Sequence, residues 1–266
     1  MAVIDHLWFA ALTRNIEDAG TDNLLNLTIN LDGADVVDSN VAWMLDQGEA
    51  YFLGNASFAP FDTAALTNSS IRLGIRGDDA WAPEHVFIFG HAPRTLLPLA
   101  IETDLDTTLS ADAGEGHLSM PLRLVTAGDS LTVIRRVLLL VDTSSENDAD
   151  TESQIQLQIT AGGANVLQQI VPQTPQSDLE RWRANWYFLD AAVPFTRGDV
   201  LANGGITLSI LDEDAWLPES VLVFGLDTTS GRPTTIVPLV SILAWDLGWL
   251  STDHTEGKPS IPLPVS

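Results

Sequence analysis

Asp79-Ala80-Trp81-Ala82-Pro83-Glu84 returns as Asp214-Ala215-Trp216-Leu217-Pro218-Glu219, and each copy runs on into an apolar stretch, Val86-Phe87-Ile88-Phe89-Gly90 and Val221-Leu222-Val223-Phe224-Gly225. The copies stand 135 positions apart, 79 against 214. Upstream, Tyr51-Phe52-Leu53 matches Tyr187-Phe188-Leu189 at an offset of 136, and Val3-Ile4 matches Val133-Ile134 at 130. Downstream, Leu109-Ser110-Ala111-Asp112, Glu115-Gly116 and Ser119-Met120-Pro121-Leu122 match Leu250-Ser251-Thr252-Asp253, Glu256-Gly257 and Ser260-Ile261-Pro262-Leu263, all at 141. Small steps in the offset are what loop insertions produce in two copies of one unit. A unit of roughly 130 residues is of ordinary domain size and can bury its own core. The repeat predicts two tandem domains, 1–127 and 128–266, with the boundary at the polar turn Ala127-Gly128-Asp129-Ser130.

The patterning inside each unit is β. Leu25, Leu27, Ile29 and Leu31 alternate with polar residues, as do Ile155, Leu157 and Ile159. Ile71, Leu73 and Ile75 do the same, answered by Ile206, Leu208 and Ile210. Period two marks strands with one buried face. Val86-Phe87-Ile88-Phe89 and Leu138-Leu139-Leu140-Val141 read instead as strands buried on both faces. Turn-forming stretches such as Gly77-Asp78-Asp79 separate them. One short helix is predicted over Ser177 to Asn185, with Ser177 capping and Glu180 three residues on. The expected fold class is all-β, two tandem antiparallel β-sandwiches with little helix.

The order of motifs in the first unit carries a resemblance. Leu7-Trp8-Phe9-Ala10-Ala11-Leu12-Thr13 is followed by Ala19-Gly20-Thr21-Asp22 and a strand ending Leu31-Asp32-Gly33. Ile71-Arg72-Leu73-Gly74-Ile75, an acidic turn, Trp81 and Val86-Phe87-Ile88-Phe89 come later. This order resembles the PLAT/LH2 domain, the β-sandwich of lipoxygenases, lipases and some bacterial toxins. The second unit departs from it, with Ala149-Asp150-Thr151-Glu152 in place of the alanine-glycine-threonine-aspartate turn. Both units carry extensions, Leu109 to Leu122 and Leu250 to Leu263, outside the resemblance. The resemblance implies a non-catalytic module that binds proteins or membrane surfaces, in several relatives with calcium.

Charge narrows the partners. The net charge is −24, Lys258 is the one lysine, and Asp supplies 25 of the 36 acidic residues. Such a chain repels nucleic acid and anionic lipid and attracts cations and basic proteins. The same composition resembles proteins of high-salt organisms, in which surface acids serve hydration. With 45% apolar residues and eight tryptophans the chain can still fold. The absence of cysteine excludes disulfides, thiolate metal sites and cysteine nucleophiles. The apolar start, Val3 to Leu12, lacks a basic leader and has a mid-chain counterpart from Val133, so it reads as a first strand and not a signal peptide. An extracellular or virion-associated location without a classical signal is the expectation, with the cytoplasm as the alternative. The sequons at Asn26, Asn55 and Asn68 carry little weight without a secretory route.

Candidate sites follow from the acidic turns and the tryptophans. Calcium takes six to eight oxygen ligands from flexible loops. The first unit offers Asp18, Asp22, Asp78 and Asp79, with Glu17 beside them; the second offers Asp148, Asp150, Asp212 and Asp214, with Glu146, Glu152 and Glu213. Two converging acidic loops would repel each other unless a cation lay between them. Trp81 and Trp216, kept in both copies, read chiefly as structural and otherwise as exposed tips for a partner or a membrane. Trp245 and Trp249 face Asp104 and Thr108 in the alignment of the copies, and Trp186 faces Ala50, so the shared fold does not require them. Trp182 answers Trp43 if the second copy lacks three residues. These tryptophans suggest an interface, and Trp81, Trp216, Trp245 and Trp249 are the partner-contact candidates. The five histidines, His6, His85, His91, His117 and His254, are scattered, and no catalytic motif is present. The expected role is a non-enzymatic binding or assembly protein of a virion or other extracellular structure, with the acidic loops as candidate calcium sites. The alternatives are a calcium-dependent membrane or glycan adhesin, which requires Trp81 or Trp216 exposed beside the acidic loops, and a hydrolase accessory pair.

Overall fold

A computed structural model describes residues 2–42, 44–55, 58–92, 95–172, 179–229 and 231–266. Trp43 and Ser177 lie outside the described residues, as does the Asn55 sequon beyond its first residue. The chain divides into two compact units, Met1–Thr126 and Ala127–Ser266.

In the first unit, besides the short pair Val3–Ile4 and Phe61–Asp62, the principal strands are β1 (His6–Thr13), β2 (Leu24–Leu31), β3 (Ala34–Ala42), β4 (Ala50–Asn55), β5 (Ile71–Arg76), β6 (Ala80–Trp81), β7 (Pro83–Ala92), β8 (Thr95–Glu102), β9 (Leu109–Ser110) and β10 (Ser119–Pro121). The second unit repeats them as β11 (Val133–Thr143), β12 (Ile155–Ala161), β13 (Ala164–Ile170), β14 (Ala184–Thr196), β15 (Gly205–Ile210), β16 (Ala215–Trp216), β17 (Pro218–Leu226), β18 (Thr235–Ile242), β19 (Leu250–Ser251) and β20 (Ser260–Leu263). Each of these strands pairs antiparallel with its neighbours in the ladders. In the first unit β8-β7-β1-β4 form one ladder and β10-β5-β2-β3 a second sheet. The second unit has β18-β17-β11-β14 and β20-β15-β12-β13 in the same order. The short ribbons β6-β9 and β16-β19 match as well.

The core of each unit draws on both of its layers. Leu25, Leu27 and Ile29 of β2 and Ile71, Leu73 and Ile75 of β5 join Leu7, Phe9, Val86 and Ile88 in one buried cluster. Ile155, Leu157 and Ile159, with Ile206, Leu208 and Ile210, join Val137, Leu139, Val221 and Val223 in the other. The period-two strands thus bury one face, while Val86 to Phe89 and Leu138 to Val141 are buried throughout.

The extensions belong to the units. Leu109 pairs with Trp81 and Leu250 with Trp216, all four fully buried. Ser119–Pro121 and Ser260–Leu263 then add the outer strand of the second sheet. Glu-Gly recurs here for a steric reason. A Cβ on Gly116 would stand 2.4 Å from the Thr108 carbonyl oxygen, and one on Gly257 would stand 2.3 Å from that of Trp249. A further repeated segment emerges in Leu97-Pro98-Leu99 and Val237-Pro238-Leu239. In both strands the register shifts beside the proline, which has no N–H to give the ladder.

The predicted helix over Ser177 to Asn185 is not formed in its described part: residues 179–183 are turn and coil, and Ala184 opens β14. The polar pattern there serves a turn, with Leu179 and Trp182 at positive φ. Helix α1 lies instead at Arg197–Asn203, capped by Thr196, whose hydroxyl accepts the Asp199 N–H while Asp199 reaches back to the Thr196 N–H.

Candidate functional site

The two acidic turns of each unit meet, and hydrogen bonds join them. In the first unit the Asp79 carboxylate accepts the Ala80 N–H at 2.8 Å and the Asp22 N–H at 3.1 Å. In the second, Asp214 accepts the Ala215 N–H at 2.8 Å, the Glu152 N–H at 3.2 Å and the Thr151 hydroxyl at 2.6 Å. Asp212 adds the Gln154 N–H at 3.1 Å. Burial raises the Asp79 pKa, but these two N–H groups and the Thr21 hydroxyl together hold the carboxyl below its ordinary value. A carboxylate filled by backbone donors is a loop clamp, and charge-assisted bonds of this kind are the strong ones. They tie the two acidic turns of each unit together.

The other acids have other employments. Asp18 and Asp148 sit at φ 58° and 62°, a left-handed turn that short polar side chains tolerate. That turn brings the fully buried Ala19 and Ala149 under the loop, where their carbonyls accept the Ala82 and Leu217 N–H groups at 3.0 and 3.1 Å. Asp22 and Asp78 have exposed side chains. Asp150 lies 3.5 Å from the Arg181 guanidinium, and its counterpart Gly20 answers a local contact: a Cβ there would meet the Leu45 carbonyl at 2.7 Å. The exchange of glycine for aspartate thus reflects which loop backbone comes close. Among the described residues, three metal-ligating side chains bring their donor atoms within 4.8 Å of one another only at Asp5, His6 and His91.

Trp81 and Trp216 are core residues, as their structural reading expects, and their place among the partner-contact candidates is corrected. Both are 0% exposed. Their indole N–H groups donate to Thr13 and Thr143 Oγ1 at 3.0 and 3.1 Å, and both threonines are themselves fully buried. Trp245 is half-buried against its own unit's core, with its indole N–H on the Gly248 carbonyl at 2.7 Å. Trp249 is half-buried, and its carbonyl accepts the Lys258 N–H at 3.0 Å. Among the described residues Trp182 is an exposed aromatic, at 76%. It stands at φ 66° between Arg181 and Arg183, and it was not among the contact candidates.

Buried polar groups also distinguish the copies. His85, 6% exposed, accepts the Asp104 N–H on Nδ1 at 3.1 Å. Burial pushes its pKa down to about 4, against the pull of the Asp104 charge. Glu102, 3% exposed, accepts the Arg123 N–H at 3.0 Å. The second unit has Ser220 and Ile242 at these two register positions. Asp142, opposite Ser220, replaces the first unit's Leu12; burial, then the Glu219 charge, raise its pKa to about 7. Both His85 and Glu102 are tied to backbone N–H groups, which suits them to hold chain segments in place.

Compared with protein families, curated proteins and solved structures, the chain matches none. Among the described residues no helix is long and apolar enough to cross a membrane.

Proposed function

We propose that this is a non-catalytic binding and assembly protein built from two PLAT/LH2-like β-sandwich domains, a structural component of a virion or other extracellular assembly. The observation that carries the reading is how the shared residues are used. Asp79 and Asp214 clamp loops, Trp81 and Trp216 fill cores, and Gly116 and Gly257 admit a carbonyl. The repeated motif therefore supports the fold. What remains for recognition is the exposed surface outside the shared motif, where, among the described residues, Trp182 is an exposed aromatic at 76%. Tryptophan and arginine are enriched among the residues that carry most of the binding energy at protein interfaces. The adhesin alternative loses the exposed Trp81 or Trp216 it needs.

Light scattering over a range of concentrations tests self-assembly. The expected result is a mass above the monomer that Trp182→Ala reduces, with the melting temperature unchanged. A strict monomer at every concentration, or a Trp182→Ala protein that assembles like the wild type, would sink the reading.

Calcium becomes dispensable in this reading, because backbone donors already close the acidic loops. The melting midpoint should stay constant between a chelator and millimolar calcium. A ligand that binds only the folded state at a hundred times its dissociation constant adds about 2.7 kcal/mol. A rise of several degrees would thus return the loops to cation sites.

A further inference from the structure

Two histidines far apart in sequence become direct neighbours across a ladder. His6 at the start of β1 pairs with His91 near the end of β7, and their rings meet edge to face with centroids 5.8 Å apart. Asp5 precedes His6 and turns one carboxylate oxygen to both: Oδ1 lies 3.2 Å from His6 Nδ1 and 3.4 Å from His91 Nδ1. All three side chains reach solvent, at 56%, 51% and 35% exposure for Asp5, His6 and His91.

These spacings have a chemical meaning. Zinc binds imidazole nitrogen and carboxylate oxygen at about 2.0–2.2 Å in a tetrahedron, so neighbouring ligand atoms stand about 3.3–3.5 Å apart. The two Asp5 contacts, at 3.2 and 3.4 Å, lie close to this edge length. They are long for charge-assisted hydrogen bonds, which run at about 2.7–2.9 Å. Three nitrogen and oxygen ligands with an open side suit a divalent ion that keeps one water.

The second unit supplies an internal control. Its equivalent register pair is Arg136 and Leu226, preceded by Arg135. There Arg136 Nε bonds Asp190 at 2.6 Å, and the strands pair in the same way. The fold therefore has no need of histidine at these positions, nor of the carboxylate beside them.

We propose that Asp5, His6 and His91 form a binding site for a divalent transition-metal ion, zinc in the first place, at the surface of the first unit. The ion would join β1 to β7 at their ends, with His6, His91 and Asp5 each giving one ligand atom. This inference is independent of the assembly reading.

The test uses the full chain without a polyhistidine tag, freed of metal by a chelator. Zinc is titrated by calorimetry, and cobalt by its visible absorption, in 0.15 M salt with millimolar magnesium. That background screens diffuse attraction to a chain of net charge −24. The expected result is one equivalent of zinc, a cobalt spectrum of tetrahedral or five-coordinate type, and a raised melting midpoint with zinc. His6→Arg and His91→Leu, the residues of the second unit, should each weaken binding at least tenfold while the metal-free protein melts as the wild type does. Asp5→Asn should weaken it less, and His117→Ala and His254→Ala should leave it unchanged. A wild type that takes up no zinc at 1 mM, or a His6→Arg/His91→Leu protein that binds with unaltered stoichiometry and affinity, would overturn the proposal.

Discussion

Trp216→Ala should cost the second unit about 3–5 kcal/mol, the range for removing a large aromatic from a packed core. Trp216 is 0% exposed and lies opposite the fully buried Leu250 in the β16-β19 ribbon. The truncated site would hold a void the size of an indole, and rigid strands on either side limit its collapse. Thr143, 0% exposed, would also lose the indole N–H it accepts at 3.1 Å. A buried polar group left without its partner adds about 1–3 kcal/mol. Trp216→Phe keeps most of the apolar volume and gives up the hydrogen bond, so its cost should be smaller, about 1–2 kcal/mol. Trp81→Ala should act in the same way on the first unit, through Thr13 and Leu109. Urea unfolding reads both. A Trp216→Ala protein within about 1 kcal/mol of the wild type would mean that the indole is not the keystone of its layer.

Asp142→Asn should stabilise the protein at pH 8 and leave it unchanged at pH 4. In the folded chain burial, and then the Glu219 charge, raise the Asp142 pKa from 3.8 to about 7. The folded state then binds more protons than the unfolded state between those two values. Stability is complete below pH 3.8, falls as the pH rises, and reaches its full penalty above about pH 7. The difference corresponds to about 4 kcal/mol at most, and partial solvent screening brings the expected gain to about 1–3 kcal/mol. Melting of both proteins from pH 4 to 8 checks it, with the difference between them cancelling the common effect of the other acids. A constant difference across this range would show that Asp142 ionises in the fold without penalty. The first unit already carries the apolar answer, Leu12, at the same place.

Much of the architecture was legible because it is local. Alternation at Leu25, Leu27 and Ile29 and the continuous run Val86 to Phe89 each state which faces are buried, and the repeat shows them twice. The predicted helix failed for a local reason too: a capping pattern at Ser177 competes with a turn that has Leu179 and Trp182 at positive φ. The true cap, Thr196 with Asp199, carried the same signal, but a strong strand run precedes it. Site residues were harder to read. Asp79 and Asp22 look like ligands in sequence, and only their approach shows that the Asp79 carboxylate accepts the Asp22 and Ala80 N–H groups.

By itself the sequence determined two copies of one all-β unit, the strands, and the motif each copy shares. Periodicity and repetition are properties of short segments and survive without any knowledge of packing. Only the tertiary structure decided which chemistry is left over. It buried Trp81 and Trp216, exposed Trp182, and set His6 against His91. Exposure and cross-strand register depend on which distant strand lies alongside, and that is fixed by the packing of the whole unit.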